Sequence, residues 1–413
     1  MRRFGLVLSL LAAVCFALPA VADTTITGEK KGAFFSITVP TAWNGDLVIY
    51  NHGYDFDFID DPGSDFGLAA LSPLWLAQGY AVAASGHSMS GWVLFNSKKD
   101  TERMIDVFKA EFGAPNDVYV AGFSLGGIVT AQLVEKLDGV NIVGAFPLCG
   151  AMAGSRVWDG AIDLRLIYDV ICGGIAPIPG SATGLPSPGH PNHAFGILDT
   201  LTSTSICMDT PFVVGVPGAA ARRAFFAAVT QLPESFIAGD MVFATHGVSN
   251  AVWEPGKLDG ENGMSNIGVT YLDAGINAAI QRVTPVNKAR KRLQRNFTPK
   301  GDVGATKIVS LHTDGDGLII VENESEYQSV VPASNLTVGI VNEIGNTHCG
   351  FTEAEITGGW LALQGWVAGQ PQPTATDLQD TCLFAEFFLG AGGPCRIDPS
   401  FVIPDMDGRI PPR

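Results

Sequence analysis

The segment 117–137, DVYVAGFSLGGIVTAQLVEKL, places a serine between two glycines at a change of pattern. Residues 117–122 are typical of a short buried strand, and apolar side chains recur at helical spacing from Leu125. A Gly-x-Ser-x-Gly turn between a strand and a helix exposes the serine hydroxyl beside the helix N-terminus, which favours negative charge. A chance Gly/Ser turn is the alternative in a chain with 49 glycines. The flanking strand and helix favour a nucleophile at Ser124.

A serine nucleophile needs a base, and the base needs an acid that orients it. After a turn of this kind, the expected chain order is Ser, acid, His. Only His348 follows the last predicted strand and directly precedes a helix, whose start is marked by a capping box of Thr352 and Glu355. The other histidines precede Ser124, lie in a Gly/Pro-rich middle region, or end a strand: His52, His87, His190, His193, His246 and His312. The sequence therefore predicts His348 as the base.

The acid is expected in the loop HTDGDGL (312–318), which follows a predicted strand. The form D-x-L-I shortly before a helix favours Asp316, with Asp314 as the alternative. A calcium-binding EF-hand loop beginning at Asp314 would need oxygen ligands at the positions of Leu318 and Ser325, so the spacing excludes it. A looser calcium site stays open, but the predicted chemistry needs neither a metal nor an organic cofactor.

An oxyanion formed at Ser124 needs two backbone donors. One is expected from Leu125, the residue after the nucleophile. The other is expected from the loop Asn51-His52-Gly53-Tyr54, where Gly53 would let the chain turn in close and Tyr54 would donate its N–H.

The elements that must position these residues alternate between strand and helix. Strand patterns occupy 32–40, 45–53, 79–86, 117–122 and 141–150, a helix pattern covers 97–113, and strands resume at 306–317 and 335–345. Alternation of this kind indicates parallel βαβ units with helices on both faces of the sheet. No repeat of 20–50 residues is present, which disfavours a solenoid or a propeller.

Between the two α/β regions, residues 151–303 are rich in Gly, Pro and Ala and lack a clear βαβ unit. We predict a core of 23–150 and 304–370, a cap or lid formed by 151–303 (hereafter the insertion) after the sixth strand, and a Pro/Gly-rich tail, 371–413. Trp158 and Trp253 from the insertion, with Trp92 from an earlier loop, are candidate substrate-binding residues. The insertion also supplies Phe212, Phe225 and Phe226. Most such aromatic residues belong to cores, but an apolar cleft over the nucleophile is the expectation.

The first 22 residues have the pattern of a secretory signal peptide. Arg2 and Arg3 precede a short apolar run, and Ala20-Val21-Ala22 provides small residues at a cleavage site. The run is too short for a membrane span, and Val14 disfavours a lipid anchor at Cys15. We therefore expect a secreted or periplasmic protein without a membrane span in the mature chain.

Net charge and cysteine number agree with this compartment. The formal charge is −16, and it becomes −18 without the two leader arginines, which disfavours nucleic acids and anionic membranes as partners. Six cysteines remain, enough for three disulfides in an oxidising compartment. Cys382 with Cys395, and Cys172 with Cys207, are the pairs that we predict from proximity in the chain.

Taken together, His-Gly after an early strand, GFSLGG, DGL and HCGFT resemble the α/β-hydrolase superfamily, over about 30–150 and 304–370. The segment THCGFTEAE resembles exported bacterial serine esterases, including polymer-degrading and feruloyl esterase/tannase-like members. The resemblance implies an α/β-hydrolase fold, with a mostly parallel sheet and flanking helices. It also implies that Cys149 and Cys349 lie near the C-terminal sheet edge beside the catalytic His, and whether they pair stays open. The insertion matches no known lid, so no substrate is implied.

The expected function is ester hydrolysis by a Ser124-His348-Asp316 triad through an acyl-enzyme, on small-molecule or polymeric esters that are apolar or aromatic. Peptides or amides, lactones and β-diketone carbon–carbon bonds stay open as substrates of the same triad. A catalytically silent binding protein on the same fold is the alternative of another class. The sequence leaves the oligomeric state open.

Processing of the leader is directly testable. We expect export to remove residues 1–22, because the small residues at 20 and 22 suit signal peptidase. N-terminal sequencing and the intact mass of the exported protein should then give a chain that begins at Asp23. A chain that keeps Met1, or that starts inside the strand pattern at 32–40, would contradict the prediction.

Overall fold

The protein is described by a computed structural model that covers residues 23–183, 194–343, 345 and 347–413. The predicted signal peptide, 1–22, with Cys15, lies outside the described residues, as do His190 and His193. None of the helices in the described ranges is long and apolar enough to cross a membrane.

A single sheet organises the described part of the chain. Its eight strands are β1 (Thr24–Lys30), β2 (Ala33–Val39), β3 (Leu47–Asn51), β4 (Ala81–His87), β5 (Val118–Phe123), β6 (Ile142–Leu148), β7 (Lys307–Thr313) and β8 (Leu336–Val341). They lie in the order β1-β2-β4-β3-β5-β6-β7-β8. β2 is antiparallel to both β1 and β4, and the strands from β4 across to β8 are parallel.

Helices connect the parallel strands and fill the segment between β6 and β7. They are α1 (Phe66–Ala77), α2 (Ser97–Phe112), α3 (Leu125–Lys136), α4 (Arg156–Cys172), α5 (Ala194–Met208), α6 (Ala219–Thr230), α7 (Ile237–Val242), α8 (Val248–Trp253), α9 (Ala274–Ala279), α10 (Asn287–Arg295), α11 (Asn323–Val330), α12 (Glu353–Val367) and α13 (Ala375–Phe384). A π-helical segment, Phe243–Gly247, joins α7 to α8.

Two apolar layers cover the sheet. β3 and β5 are almost continuously apolar, because central parallel strands are buried on both faces. Leu47 and Ile49 of β3 pack in the layer formed by α2, α3 and the helices that follow β6, whereas Val48 and Tyr50 pack against α1 and α12. The alternation along one strand thus fixes which helices lie on which side of the sheet.

Most of the predicted elements are confirmed. The strand patterns correspond to β2 through β8, the helix pattern at 97–113 to α2, and the capping box of Thr352 and Glu355 is formed at the start of α12. β1 and α1 were not predicted: β1 is an exposed, Thr-rich edge strand, and α1 contains Pro73 and lacks a polar face. Within the insertion, the apolar-periodic stretch INAAIQRVTPVNKARKRLQRN, which the sequence alone suggests as one helix-like piece, is divided into α9 and α10, since Pro285 separates them.

The predicted disulfides are confirmed. Cys172 at the end of α4 pairs with Cys207 of α5, and Cys382 of α13 pairs with Cys395. Cys149 and Cys349, whose pairing the sequence left open, also form a disulfide, and they lie 200 positions apart in the chain. This disulfide ties the end of β6 to the loop after β8.

The strand order changes direction at β3 and β5. From β3 the chain moves outward to β4 and then returns to β5 on the other side of β3. In open α/β sheets, ligands bind at the carboxyl ends of strands beside such a switch point. This order, with an antiparallel second strand and a strand-turn-helix at Ser124, is that of the α/β-hydrolase fold, as the resemblance implied.

Trp360 of α12 provides a test of the apolar layer that α1 and α12 form on one side of the sheet. It is fully buried, its ring lies against Trp75 and Tyr119 with centroids 5.5 and 5.2 Å away, and its Nε1 donates to Gln78 at 3.0 Å. We expect Trp360→Ala to lower the free energy of unfolding by about 3–5 kcal/mol, because it leaves a large cavity. Denaturant unfolding with the disulfides intact measures the loss.

Phe387→Ala is the matched control for Trp360→Ala, since Phe387 is 70% exposed. It should change the free energy of unfolding by no more than about 0.5 kcal/mol. Equal losses for the two variants would contradict the described packing.

Candidate active site

Ser124 occupies a strained turn between β5 and α3. Its φ is 57° and its ψ is −119°, a region that residues other than glycine rarely adopt. Its N–H donates to the carbonyl of Leu148 at 2.8 Å, and its carbonyl accepts from the N–H of Gly127 at 2.9 Å. These two bonds hold the turn, so that the side chain lies at the carboxyl edge of the sheet.

Close backbone approach explains the glycines on either side of Ser124. A Cβ added to Gly122 would lie 2.5 Å from the carbonyl oxygen of Asn51, and one added to Gly126 would lie 2.0 Å from that oxygen. Either contact is shorter than real Cβ atoms tolerate. The start of α3 can therefore pack directly on the end of β3 only because both positions lack a side chain.

Loops after two other strands bring a histidine and an acid to Ser124. His348, after β8, has its Nε2 2.7 Å from Ser124 Oγ. Its Nδ1 lies 2.8 Å and 2.9 Å from the two carboxylate oxygens of Asp316, after β7. Because an ionised carboxylate only accepts, Nδ1–H donates to Asp316 and Nε2 is left to accept from the serine hydroxyl. The structure thus brings together the three side chains that the sequence proposed as a triad.

Asp316 is held more firmly than a single contact to His348 would hold it. Oδ1 accepts from the N–H groups of Leu318 and Ile319, both at 2.9 Å, and Oδ2 accepts from that of Cys349 at 3.3 Å. Asp314 is used differently, since its Oδ1 accepts from the N–H of Glu343 at 2.7 Å. Of the two aspartates that the sequence left open, only Asp316 contacts His348.

A buried ion pair lies beneath the acid loop. His312 Nδ1 lies 3.2 Å from Glu324, and His312 Nε2 lies 2.7 Å from the carbonyl of Ile319 and 3.9 Å from Asp316. Burial lowers the pKa of His312, but the hydrogen bond and negative charge of Glu324 outweigh it, so the pKa lies above its ordinary value. The raised pKa favours the protonated form of His312, whose positive charge lies 3.9 Å from Asp316 and stabilises a negative charge there.

The loop after β3 lies beside Ser124. A Cβ on Gly53 would lie 4.0 Å from that of Ser124, which is ordinary contact, so proximity alone does not require glycine there. His52 is buried, and its Nδ1 lies 2.6 Å from the carbonyl of Gly53, an arrangement that fixes this loop. Burial lowers the pKa of His52. The pKa of His87 lies well below its ordinary value, because His87 is buried and because His52 is its neighbour. Both are therefore structural, neutral histidines.

The Cys149–Cys349 disulfide lies against the histidine. Cys349 Sγ is 3.5 Å from His348 Nε2, and both cysteines have positive φ values, 45° and 57°. Among the described residues these sulfurs, with Asp316 and His348, form a cluster of potential metal ligands, but they are bonded to each other and offer no thiolate. The disulfide fixes the position of the His348 loop.

A cavity of about 260 Å³ opens beside Ser124. Tyr54, Leu125, Trp92 and Trp158 line it, whereas Trp253 does not: its ring lies against Gly260. The three phenylalanines of the insertion that the sequence singled out also lie outside this lining: Phe226 is buried in the core, and Phe212 and Phe225 are partly exposed. The sequence could not distinguish aromatic residues that line the cavity from those that do not, because both occur at the same helical spacing.

Sequence reasoning missed several residues that line the cavity. From the insertion, Asp240, Phe243 and Tyr271 reach it. From the far end of the chain, Arg409 and Ile410 reach it as well, although 371–413 was expected to be a Pro/Gly-rich tail outside the core and the insertion. A buried acid in an apolar stretch, such as Asp240 within IAGDMV, is the one signal that the sequence offered.

Comparisons with solved structures find similarity at low sequence identity. The chain is similar to Candida antarctica lipase A, at 12% identity over 92% of this chain and 80% of that chain, with a TM-score of 0.43. It is also similar to an esterase from Aspergillus oryzae, at 14% identity over 84% of this chain and 80% of that chain, with a TM-score of 0.48. No family model and no curated protein matches the chain.

Likeness at this level carries nothing about activity. The strand order and the turn at Ser124 give the chain the fold of the α/β-hydrolase superfamily.

The two aspartates give different expectations for the reactivity of Ser124. Asp316→Asn should slow its phosphonylation by a fluorophosphonate about 10³–10⁴-fold, because an amide stabilises neither the Nδ1–H tautomer nor the imidazolium of His348. Asp314→Asn, the matched control, should slow it less than about tenfold, since Asp314 does not contact His348 and the asparagine Oδ1 can still accept from the N–H of Glu343. Labelling rates measured under identical conditions test this; the reverse order would assign the acid to Asp314.

Proposed function

We propose that the protein is an exported serine hydrolase that cleaves carboxylic ester bonds. The observation that carries the proposal is the chain of two hydrogen bonds, from Ser124 to His348 at 2.7 Å and from His348 to Asp316 at 2.8 Å, beside an apolar cavity. Three disulfides support export, because such bonds persist in oxidising compartments.

Acylation begins when Ser124 Oγ attacks the carbonyl carbon of the ester. Its proton passes to His348 Nε2, and Asp316 stabilises the imidazolium that forms. The N–H groups of Leu125 and Tyr54 are the proposed donors to the oxyanion of the tetrahedral intermediate. When the intermediate collapses, the alcohol leaves with the proton from Nε2, and the acyl group stays on Ser124.

Deacylation repeats these steps with water. His348 Nε2 takes a proton from a water molecule as its oxygen attacks the acyl carbon. A second tetrahedral intermediate forms at the same oxyanion donors and collapses to release the carboxylic acid and restore the hydroxyl of Ser124. The steps use only side chains, backbone N–H groups and water.

The cavity supports a substrate with a compact apolar part. Its lining includes Trp92, Trp158, Ile167 and Phe243, and its volume of about 260 Å³ suits one acyl chain or one aromatic ring. We therefore propose apolar or aromatic esters, or single units of a polymeric ester, as the substrates.

The proposal is tested by labelling and turnover together. The purified mature protein should react with a fluorophosphonate at Ser124 and hydrolyse p-nitrophenyl esters. Ser124→Ala should abolish labelling and lower kcat by about 10⁴-fold or more, since the triad residues act as a unit. Ser334→Ala, at an exposed serine, is the matched control and should leave both unchanged.

Two outcomes would contradict the proposal in different ways. Wild-type protein that is neither labelled nor active would favour a silent binding protein. Wild-type protein that is labelled, but cleaves amides, lactones or β-diketones faster than esters, would keep the nucleophile and change the substrate class. Acyl chains of increasing length, aromatic esters and polyester films complete the panel.

A further inference from the structure

One carboxyl group in the cavity has no role in the triad. Asp240 lies on α7, is 2% exposed, and lines the same cavity as Ser124. Its Oδ2 is buried, and no described residue forms a hydrogen bond with it. A buried polar group normally has a partner, because leaving it unpaired costs stability.

The other charged side chains that line the cavity are satisfied by the protein itself. Asp163 pairs with Arg413 and Tyr271, Asp407 with Arg156, and Arg409 with Glu322. Asp240 differs from all of them, since no ion pair holds it among the described residues. Among the charged side chains that the structure describes in the cavity lining, only Asp240 has a buried atom without a hydrogen-bond partner.

The position of Asp240 relative to the triad is fixed by packing. The N–H of Asp240 donates to the carbonyl of Phe236 at 3.1 Å, and Phe236 packs on the acid loop so closely that a Cβ on Gly317 would lie 2.4 Å from its own Cβ. One turn after Asp240, the helix changes to the π-helical segment that begins at Phe243, which also lines the cavity. π-helical turns within α-helices frequently occur at functional sites.

The surroundings of Asp240 determine its form. Burial, and then the negative charge of Asp316, raise its pKa well above the ordinary value for an aspartate. The raised pKa favours the neutral carboxyl, which offers one O–H donor and a carbonyl acceptor to a ligand in the cavity. It cannot attract a cation as a carboxylate would, but it can bind an uncharged oxygen.

We propose that Asp240 binds an uncharged oxygen of the substrate, so that the preferred esters carry a carbonyl or hydroxyl group in addition to the scissile ester. The inference rests on the proposed ester hydrolysis and narrows its substrate class to oxygen-bearing acyl groups in an apolar skeleton. A site with an unpaired buried donor favours a ligand that pairs it over an analogue that does not.

Two pairs of isosteric p-nitrophenyl esters test this: 4-oxopentanoate against 4-methylpentanoate, and 5-oxohexanoate against 5-methylhexanoate. For each pair, the kcat/KM of the oxo ester is divided by that of the methyl ester. This quotient is then divided by the quotient of the two rate constants for alkaline hydrolysis, which gives the corrected ratio. The wild-type protein should show a corrected ratio of about ten or more in at least one pair. Asp240→Leu should bring that ratio to about one, whereas Asp240→Asn, whose amide still donates, should retain most of it.

Asp106→Leu, at an exposed aspartate of α2, is the matched control and should keep the wild-type ratio. An unchanged ratio in Asp240→Leu would overturn the inference, as would a wild-type ratio of one in both pairs. A wild-type ratio of one in both pairs overturns the inference even if Asp240→Leu does not fold. Loss of activity on all four esters, without labelling of Ser124, would instead overturn the proposed hydrolase.

Discussion

The candidate site depends on how closely the start of α3 approaches the end of β3. The carbonyl oxygen of Asn51 occupies the space that a Cβ of Gly122 or Gly126 would need. This contact presses the turn between β5 and α3 into the positive φ of Ser124. The residues directly after Asn51 form the loop of Gly53 and Tyr54, so the same contact sets that loop beside the serine. A side chain at either glycine would separate the nucleophile from its proposed oxyanion donors.

Asp316, beside His348, and Asp240, in the cavity, illustrate how surroundings assign different tasks to one residue type. Asp316 accepts from three backbone N–H groups and from His348, with His312 nearby. Asp240 faces apolar neighbours and the charge of Asp316 itself. In a space of low polarity, hydrogen-bonded charge is stabilised and unpaired charge is not. Asp316 is thus suited to orient an imidazole, and Asp240 to contact an uncharged oxygen.

The central strands were predictable because their burial on both faces leaves a continuous apolar signal, as in β3 and β5. The helix α2 was predictable because one side faces solvent. Elements whose apolar and polar positions do not separate into a buried and an exposed side could not be predicted. The helix α1 is apolar nearly all round and contains Pro73, and β1 is an exposed edge strand. The triad candidates could be chosen from their order along the chain, since each follows a strand whose carboxyl end meets the same sheet edge.

The sequence by itself determined the fold class, the turn at Ser124 and the order of Ser124, Asp316 and His348, because all three depend on local patterns and their succession. Only the tertiary structure decided that Asp316 and not Asp314 contacts His348. The two aspartates lie in the same loop, and their side chains point to different partners. The tertiary structure also decided which aromatic residues line the cavity: Trp158 does and Trp253 does not. Likewise, Asp240 and Ile410 meet in one cavity although 170 positions separate them, because contacts between distant segments leave no periodic trace in the chain.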